Sequence, residues 1–113
     1  MKISHQQNAK QRHKHACVIT EHALGDPQLD CVIAEINGRY PAVGRVTNQK
    51  CKLLAQVQGG SGKLVVEGKE VSLNPGDQVL IEPNEKYFWD GQLTLFIACS
   101  PAWYPAQHVL VDG

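Results

Sequence analysis

The sequence predicts an all-β protein, an antiparallel sandwich or barrel of roughly eight or nine short strands. Apolar residues alternate with period two in successive short segments, such as 64–66, 71–73 and 79–81. Glycine and proline stand at the breaks between these segments, and no segment keeps a helical period. At 113 residues the chain is long enough for one hydrophobic core and too short for two.

Two turns in the middle of the chain have a clear chemical basis. Gly68 follows Glu67 at a point where a tight hairpin needs a positive φ. In the run 74–77, Asn-Pro-Gly-Asp, proline presets the φ angle that the turn requires and glycine follows it. These turns predict a β-meander over residues 59–87.

Further strands are expected on either side of this meander. They cover residues 15–22, 29–36, 51–58, 93–99 and a short segment near 108–111. We expect Asn37-Gly38 to close a turn, because this dipeptide favours hairpins, and we expect further breaks at Gly59 to Gly62 and at Gly91.

Charge and hydropathy exclude several classes of partner. Eleven basic residues balance eleven acidic ones, so no overall field favours nucleic acid. The basic residues of segment 1–14 have no acid among them, which predicts a flexible, solvated arm ahead of a single domain at 15–113. No apolar run approaches the roughly 18 residues of a membrane span, and we expect a soluble, cytoplasmic protein.

The four cysteines are widely spaced and lie in apolar segments. They form no Cys-x-x-Cys pair of the kind that binds zinc or performs dithiol chemistry. Cysteine packs as a small apolar side chain, so we expect buried free thiols.

The central stretch resembles a known family. The Gly-x-Gly run at 60–62, the hairpin at Gly68, the Pro-Gly-Asp turn at 75–77 and the loop Glu82-Pro83-Asn84 are similar to motifs of the cupin superfamily. The resemblance covers roughly residues 39–101 and implies a cupin-type jelly roll. It also implies a homodimer, which would cover sheet edges and a strand such as 93–99 that is apolar on both faces.

The resemblance also bears on metal binding. Metal-dependent cupins hold their ion with two His separated by one residue, a Glu, and a later His. The matching positions here are Val46 or Thr47, Asn48 or Gln49, Leu53 and Tyr87. Because no His occurs between His22 and His108, we expect no metal and no other cofactor.

Other metal sites have little support from spacing. His13 and His15 would share a strand face, but they lie among basic residues without an acidic partner. Convergence of His22, the cysteines and His108 would have to come from the tertiary structure alone.

Without a metal, the resemblance implies a barrel interior with apolar and aromatic walls, typical of a small-molecule pocket. Its expected ligand-binding residues are Asn48, Leu53, Ala55, Tyr87 and Trp89, joined by Trp103 and His108 from the carboxy-terminal tail. The alternatives are a solidly packed interior and a tail that only covers the sheet.

Two functions follow. The first is a metal-free small-molecule binding protein, with a sugar or an aromatic compound as ligand and no catalytic residue. The second is an enzyme similar to the metal-free sugar epimerases and isomerases of the superfamily, with Tyr87 as acid and His108 as base. A short distance between these two side chains across an open cavity would favour the enzyme.

Overall fold

The structure is a computed structural model that describes all 113 residues. Its regular elements are nine strands and two 3-10 helices of three residues each, so the all-β prediction is confirmed. The strands are β1 Lys10–Lys14, β2 Cys17–Glu21, β3 Asp30–Tyr40, β4 Arg45–Asn48, β5 Lys52–Val66, β6 Lys69–Leu73, β7 Gln78–Ile81, β8 Lys86–Ser100 and β9 His108–Val111; the helices are Gln6–Asn8 and Pro105–Gln107. Neither helix could cross a membrane.

All pairings are antiparallel and make one strongly curled sheet. Strand β8 lies at its centre, because it pairs with β3 on one side and with β5 on the other for almost its whole length. The order β1-β2-β3-β8-β4-β9 makes one wall of the barrel, and β5 with β6 and β7 makes the other.

The core lies between these walls and follows the period-two pattern. Alternate residues of β8 from Tyr87 to Cys99, apart from Gly91, are buried, and Leu53, Ala55 and Val57 of the neighbouring strand β5 are buried beside them. The other face of β8 carries Phe96, which is 38% exposed. The alternation in the sequence therefore sets which side of each strand faces the core.

The predicted turns at Glu67-Gly68 and at 74–77 are confirmed. Both Glu67 and Gly68 have positive φ, as a two-residue hairpin of the primed type requires. In the second turn the Asp77 amide donates to the Asn74 carbonyl at 3.1 Å.

Three expected breaks are instead inside long strands. Gly38, Gly62 and Gly91 are paired in one row across β3, β8 and β5. A Cβ on Gly91 would lie 2.6 Å from the Cα of Gly62, so the backbones meet too closely for any side chain. The glycines therefore bend the strands without ending them, which local sequence does not distinguish from a turn.

The amino-terminal arm is also more ordered than expected. Residues 10–14 form β1 and pair with β2, so the first hairpin begins before the domain boundary predicted at residue 15. The strand has no apolar residue. Its inward side chains are Arg12 and Lys14, and their cations lie over the ring of Trp103.

All four cysteines are free. Three of them, Cys17, Cys51 and Cys99, are buried as expected, but Cys31 is exposed. Cys31 pairs with Ala98 and is on the opposite face of β3 from the buried residues Ala34 and Ile36.

Candidate functional site

A cavity of about 80 Å³ lies inside the barrel. Aliphatic side chains of β2, β3 and β8 line most of it, and the polar groups come from other places. Its polar and aromatic lining residues are Arg12, Lys14, Glu21, Asp30, Tyr40, Asn48, Tyr87, Trp89, Trp103 and His108.

A chain of hydrogen bonds enters the cavity from the backbone. The amide N–H groups of Lys50 and Cys51 both donate to Oε1 of Gln107 at 3.2 Å, which fixes the orientation of that side chain. Its Nε2 group must then donate to Oδ1 of Asn48, at 2.9 Å. The remaining end of Asn48, Nδ2, donates to the hydroxyl of Tyr87 at 2.9 Å. Because backbone N–H groups can only donate, the donor and the acceptor of each later hydrogen bond in this series are fixed.

This direction decides the tautomer of His108. Nδ1 of His108 lies 2.8 Å from Oδ1 of Asn48, which is an acceptor, so Nδ1 carries the proton. Nε2 is therefore unprotonated in the neutral ring. It lies 3.1 Å from the hydroxyl of Tyr40, which donates to it. The result is an imidazole with its basic nitrogen next to a phenol inside a cavity.

The fold places these groups in simple ways. Asn48 is paired with His108 in the β4–β9 ladder, and the 3-10 helix that ends at Gln107 leads directly into β9. Tyr40 is the last residue of β3, immediately before Pro41, which cannot donate to a ladder. Asn48 and Gln107 are only 2% and 1% exposed, so both amides are held firmly.

Two cations and one indole ring form the wall of the cavity near β1. The ammonium of Lys14 donates to the Tyr40 hydroxyl at 3.4 Å and lies 5.3 Å from the centre of the Trp103 ring. The guanidinium of Arg12 lies 4.7 Å from the same ring and is paired with Glu21 at 3.0 Å. The ring of Trp103 also contacts that of His108, with centroids 5.7 Å apart.

Burial sets the protonation of the polar groups. It lowers the pKa of His108 to about 4, with repulsion from Lys14 and Arg12 adding to the effect. It raises the pKa of Tyr40 to about 12 and that of Cys17 to about 11. At neutral pH the cavity therefore has a neutral imidazole, a protonated phenol and a protonated thiol, which leaves Cys17 a poor nucleophile.

The pKa values of two further groups shift with burial. Burial raises the pKa of Tyr87, so this phenol also stays protonated. Burial lowers the pKa of Lys14, and the positive charge of Arg12 lowers it further, while Cys17 and Glu21 act in the opposite direction.

A groove of about 860 Å³ adjoins the cavity. Glu21, Asp30 and Trp103 belong to both walls, so a ligand too large for the cavity would pass between these side chains. Oδ1 of Asp30 is buried there without a hydrogen-bond partner. A buried acceptor of this kind normally has a donor, and the neighbouring thiol of Cys99 interacts with the same carboxylate.

The structure brings six of the seven predicted site residues to the cavity wall: Asn48, Leu53, Tyr87, Trp89, Trp103 and His108. Ala55 is the exception. It is 1% exposed and lies in the packed core, not among the residues that line the cavity. His108 and Tyr87 bind opposite ends of the Asn48 amide, so these two side chains are close together. The phenol that contacts His108 directly is that of Tyr40.

Sequence reasoning missed Tyr40, Lys14, Arg12 and Gln107. Tyr40 lay in an expected loop, and the two cations lay in an expected flexible arm. The same-face spacing of Arg12 and Lys14 was a usable signal for a strand. Nothing local distinguishes Gln107 from a surface amide, since its partners come from residues 48–51.

Arg39 and Arg45 both have partners within the protein. Arg39 donates to the carbonyls of Pro41 and Gly44, and Arg45 is paired with Asp112. No group of three or more His, Cys, Asp or Glu residues is arranged to hold a metal ion.

Solved structures with the same architecture place the fold among known proteins. Pac13 of Streptomyces, described as a unique nucleoside dehydratase, is 17% identical, with 98% of this chain and 92% of that chain covered and a TM-score of 0.89. A second Pac13 structure contains uridine and has a TM-score of 0.90 over 98% of this chain and 91% of that chain, again at 17% identity. KdgF of Halomonas sp. is 18% identical, with 87% of this chain and 93% of that chain covered and a TM-score of 0.67.

No protein-family profile and no curated protein matches the chain. The structural matches are below 25% identity and therefore establish the architecture alone. The curled antiparallel barrel and its likeness to these structures identify the chain as a protein of the cupin fold.

Proposed function

We propose that the protein binds a small polar molecule in the barrel cavity and performs acid–base chemistry on it. One observation carries this proposal: the hydrogen-bond chain leaves Nε2 of His108 unprotonated and 3.1 Å from the Tyr40 hydroxyl. Acid–base catalysis requires at least one base and one acid that both face the cavity. In this proposal Tyr40 takes the role of acid that the sequence assigned to Tyr87.

The reaction that this pair supports best is loss of water from a small hydroxylated compound. Nε2 of His108 takes a proton from carbon, and the electrons of that C–H bond form the new double bond. The C–O bond to the neighbouring hydroxyl breaks, and Tyr40 gives its proton to the departing oxygen, which leaves as water. The proton on His108 then returns to the Tyr40 oxygen along their hydrogen bond, which restores both groups.

The likeness to Pac13, a nucleoside dehydratase seen with uridine, supports the same reaction class. The cavity of about 80 Å³ is smaller than the roughly 300–1,000 Å³ of common ligand pockets. A nucleoside or sugar would therefore extend into the adjoining groove past Trp103 and Asp30.

Isotope exchange tests the proposal without knowledge of the product. The protein is incubated in D₂O with uridine and with a panel of small hydroxy acids and hydroxy aldehydes, and deuterium uptake at carbon is followed by NMR. We expect exchange or water loss for at least one compound and a loss of roughly 100-fold or more in Tyr40→Phe and His108→Gln. Tyr104→Phe, at an exposed position that lines neither the cavity nor the groove, is the matched control and leaves the rate unchanged.

Binding without chemistry is the second candidate, and the resting hydrogen bonds favour it. Both ring nitrogens of His108 already have protein partners, as expected of a purely structural histidine. A compound that raises the melting temperature but never exchanges deuterium would support this candidate over the enzyme. Cytoplasmic location and pairing into a homodimer stay predictions in either case.

A further inference from the structure

The ammonium of Lys14 is the one cation of the cavity without an anionic partner. It takes part in none of the four ion pairs of the chain, whereas Arg12 is bound to Glu21 through two hydrogen bonds. Its contacts are the Tyr40 hydroxyl and the faces of two aromatic rings. A half-buried charge loses hydration that such contacts replace only in part.

The carboxylates of the cavity do not neutralise Lys14. Glu21 is engaged by Arg12. Asp30 and Tyr40 are the first and last residues of β3, so Asp30 lies at the other end of the strand from the contact between Lys14 and Tyr40. The end of the cavity that contains Tyr40 and His108 is therefore positively charged.

We propose that the cavity selects a small hydroxycarboxylic acid, whose carboxylate binds the Lys14 ammonium beside Tyr40 and His108. This inference rests on the proposed function for the position of the reacting carbon. A single free ammonium matches a monoanion, and Tyr40 next to it remains available to the hydroxyl that leaves. A phosphate dianion would need further cations, and Arg12 is already paired.

The same contact would activate the base. Lys14 and Arg12 both repel a proton from His108, and burial does so more strongly. A carboxylate against Lys14 cancels part of that repulsion, so the pKa of His108 rises towards the range where a general base is effective. The charged and titratable groups that face Lys14 are Arg12, Cys17, Glu21, Tyr40 and, through Tyr40, His108.

A matched pair of ligands tests the selectivity. Binding of 3-hydroxybutanoate and of its uncharged amide is measured by NMR at equal ionic strength on the full chain, with inorganic phosphate as a third probe. We expect the acid to bind roughly 10- to 100-fold more tightly than the amide. In Lys14→Met this preference disappears, while Lys69→Met, at an exposed position on β6 that lines neither the cavity nor the groove, keeps it.

A second measurement separates this inference from the proposed reaction. The pKa of His108, followed by its ring proton signals, rises when the acid binds and does not change with the amide. This comparison uses the unaltered protein, so it remains decisive even where Lys14→Met fails to fold. If the protein prefers the acid but causes no deuterium exchange, the inference about ligand selectivity holds and only the proposed loss of water is overturned.

Three results would overturn the inference: equal affinity for acid and amide, an unchanged preference in Lys14→Met, or tighter binding of phosphate than of the acid. Failure of both ligands to bind would overturn it as well. Retention of the preference in Lys14→Arg, which keeps the charge, would support it.

Discussion

Asn48 joins the two halves of the candidate site. Its amide accepts from Gln107 and His108 and donates to Tyr87, so one side chain sets the tautomer of the histidine and holds a phenol. The cupin-like motifs predicted that position 48 would face the interior, where metal-dependent cupins have a histidine. The amide cannot hold the ion as that histidine does, but it orients another imidazole that arrives from β9.

His108 makes stability depend on pH. An unfolded histidine takes up a proton near pH 6.5, whereas burial lowers the pKa of folded His108 to about 4. Between these values the unfolded state binds more protons, so this contribution to stability is complete above pH 6.5 and is lost as pH falls towards 4.

We therefore expect the free energy of unfolding, from urea titrations, to decrease by roughly 2–3 kcal/mol more in the wild type than in His108→Gln between pH 7.5 and 4.5. His5→Gln, at an exposed position, should follow the wild type. Parallel curves for wild type and His108→Gln would mean that folded His108 titrates normally.

The long strands depend on the glycine row. Strand β8 runs unbroken from Lys86 to Ser100 although the sequence suggested a turn at Gly91. At this residue φ is +132° and the neighbouring backbone leaves no room for a Cβ. The row lets three strands bend together, which closes the barrel around the cavity.

Gly91→Ala should therefore reduce the free energy of unfolding by about 3 kcal/mol or more, because it combines backbone strain with a clash. Gly59→Ala is the matched control, since a Cβ there meets nothing within 4 Å and the φ angle is ordinary. Chemical denaturation of both variants measures the difference. Similar stabilities would show that the row does not constrain the strands.

The element most poorly predicted from sequence was β1. A strand is normally recognised by alternating apolar residues, and β1 has cations in their place. Its inward residues are stabilised by the Trp103 ring, which follows them by about ninety positions in the chain. Such a pairing has no local signature.

The whole barrel has one uncovered apolar face. Leu54, Leu80 and Phe96 are 44%, 54% and 38% exposed, and they lie on adjacent strands β5, β7 and β8. Exposed Cys31 is on the same side of the sheet, on β3. The sequence predicts that β8 is covered on both sides, and this face is the side that stays uncovered within one chain.

We expect two chains to pair through this face, and sedimentation velocity at micromolar concentrations to give a dimer. Leu80→Lys should shift the equilibrium to the monomer, because a charge in an apolar interface loses its hydration. Leu110→Lys, equally exposed on β9, should leave the dimer intact. A monomeric wild type would contradict the expectation.

The sequence by itself determined the fold class, the inward side of each apolar strand, two turns and six of the 19 residues that line the cavity. These features depend on local geometry, on period-two alternation and on the φ preferences of glycine and proline. Only the tertiary structure decided that glycine rows bend strands, that a basic segment is a strand, and that His108 meets Tyr40. Each of these depends on residues far apart in the chain, with 68 positions between His108 and Tyr40, and no local pattern encodes such a contact.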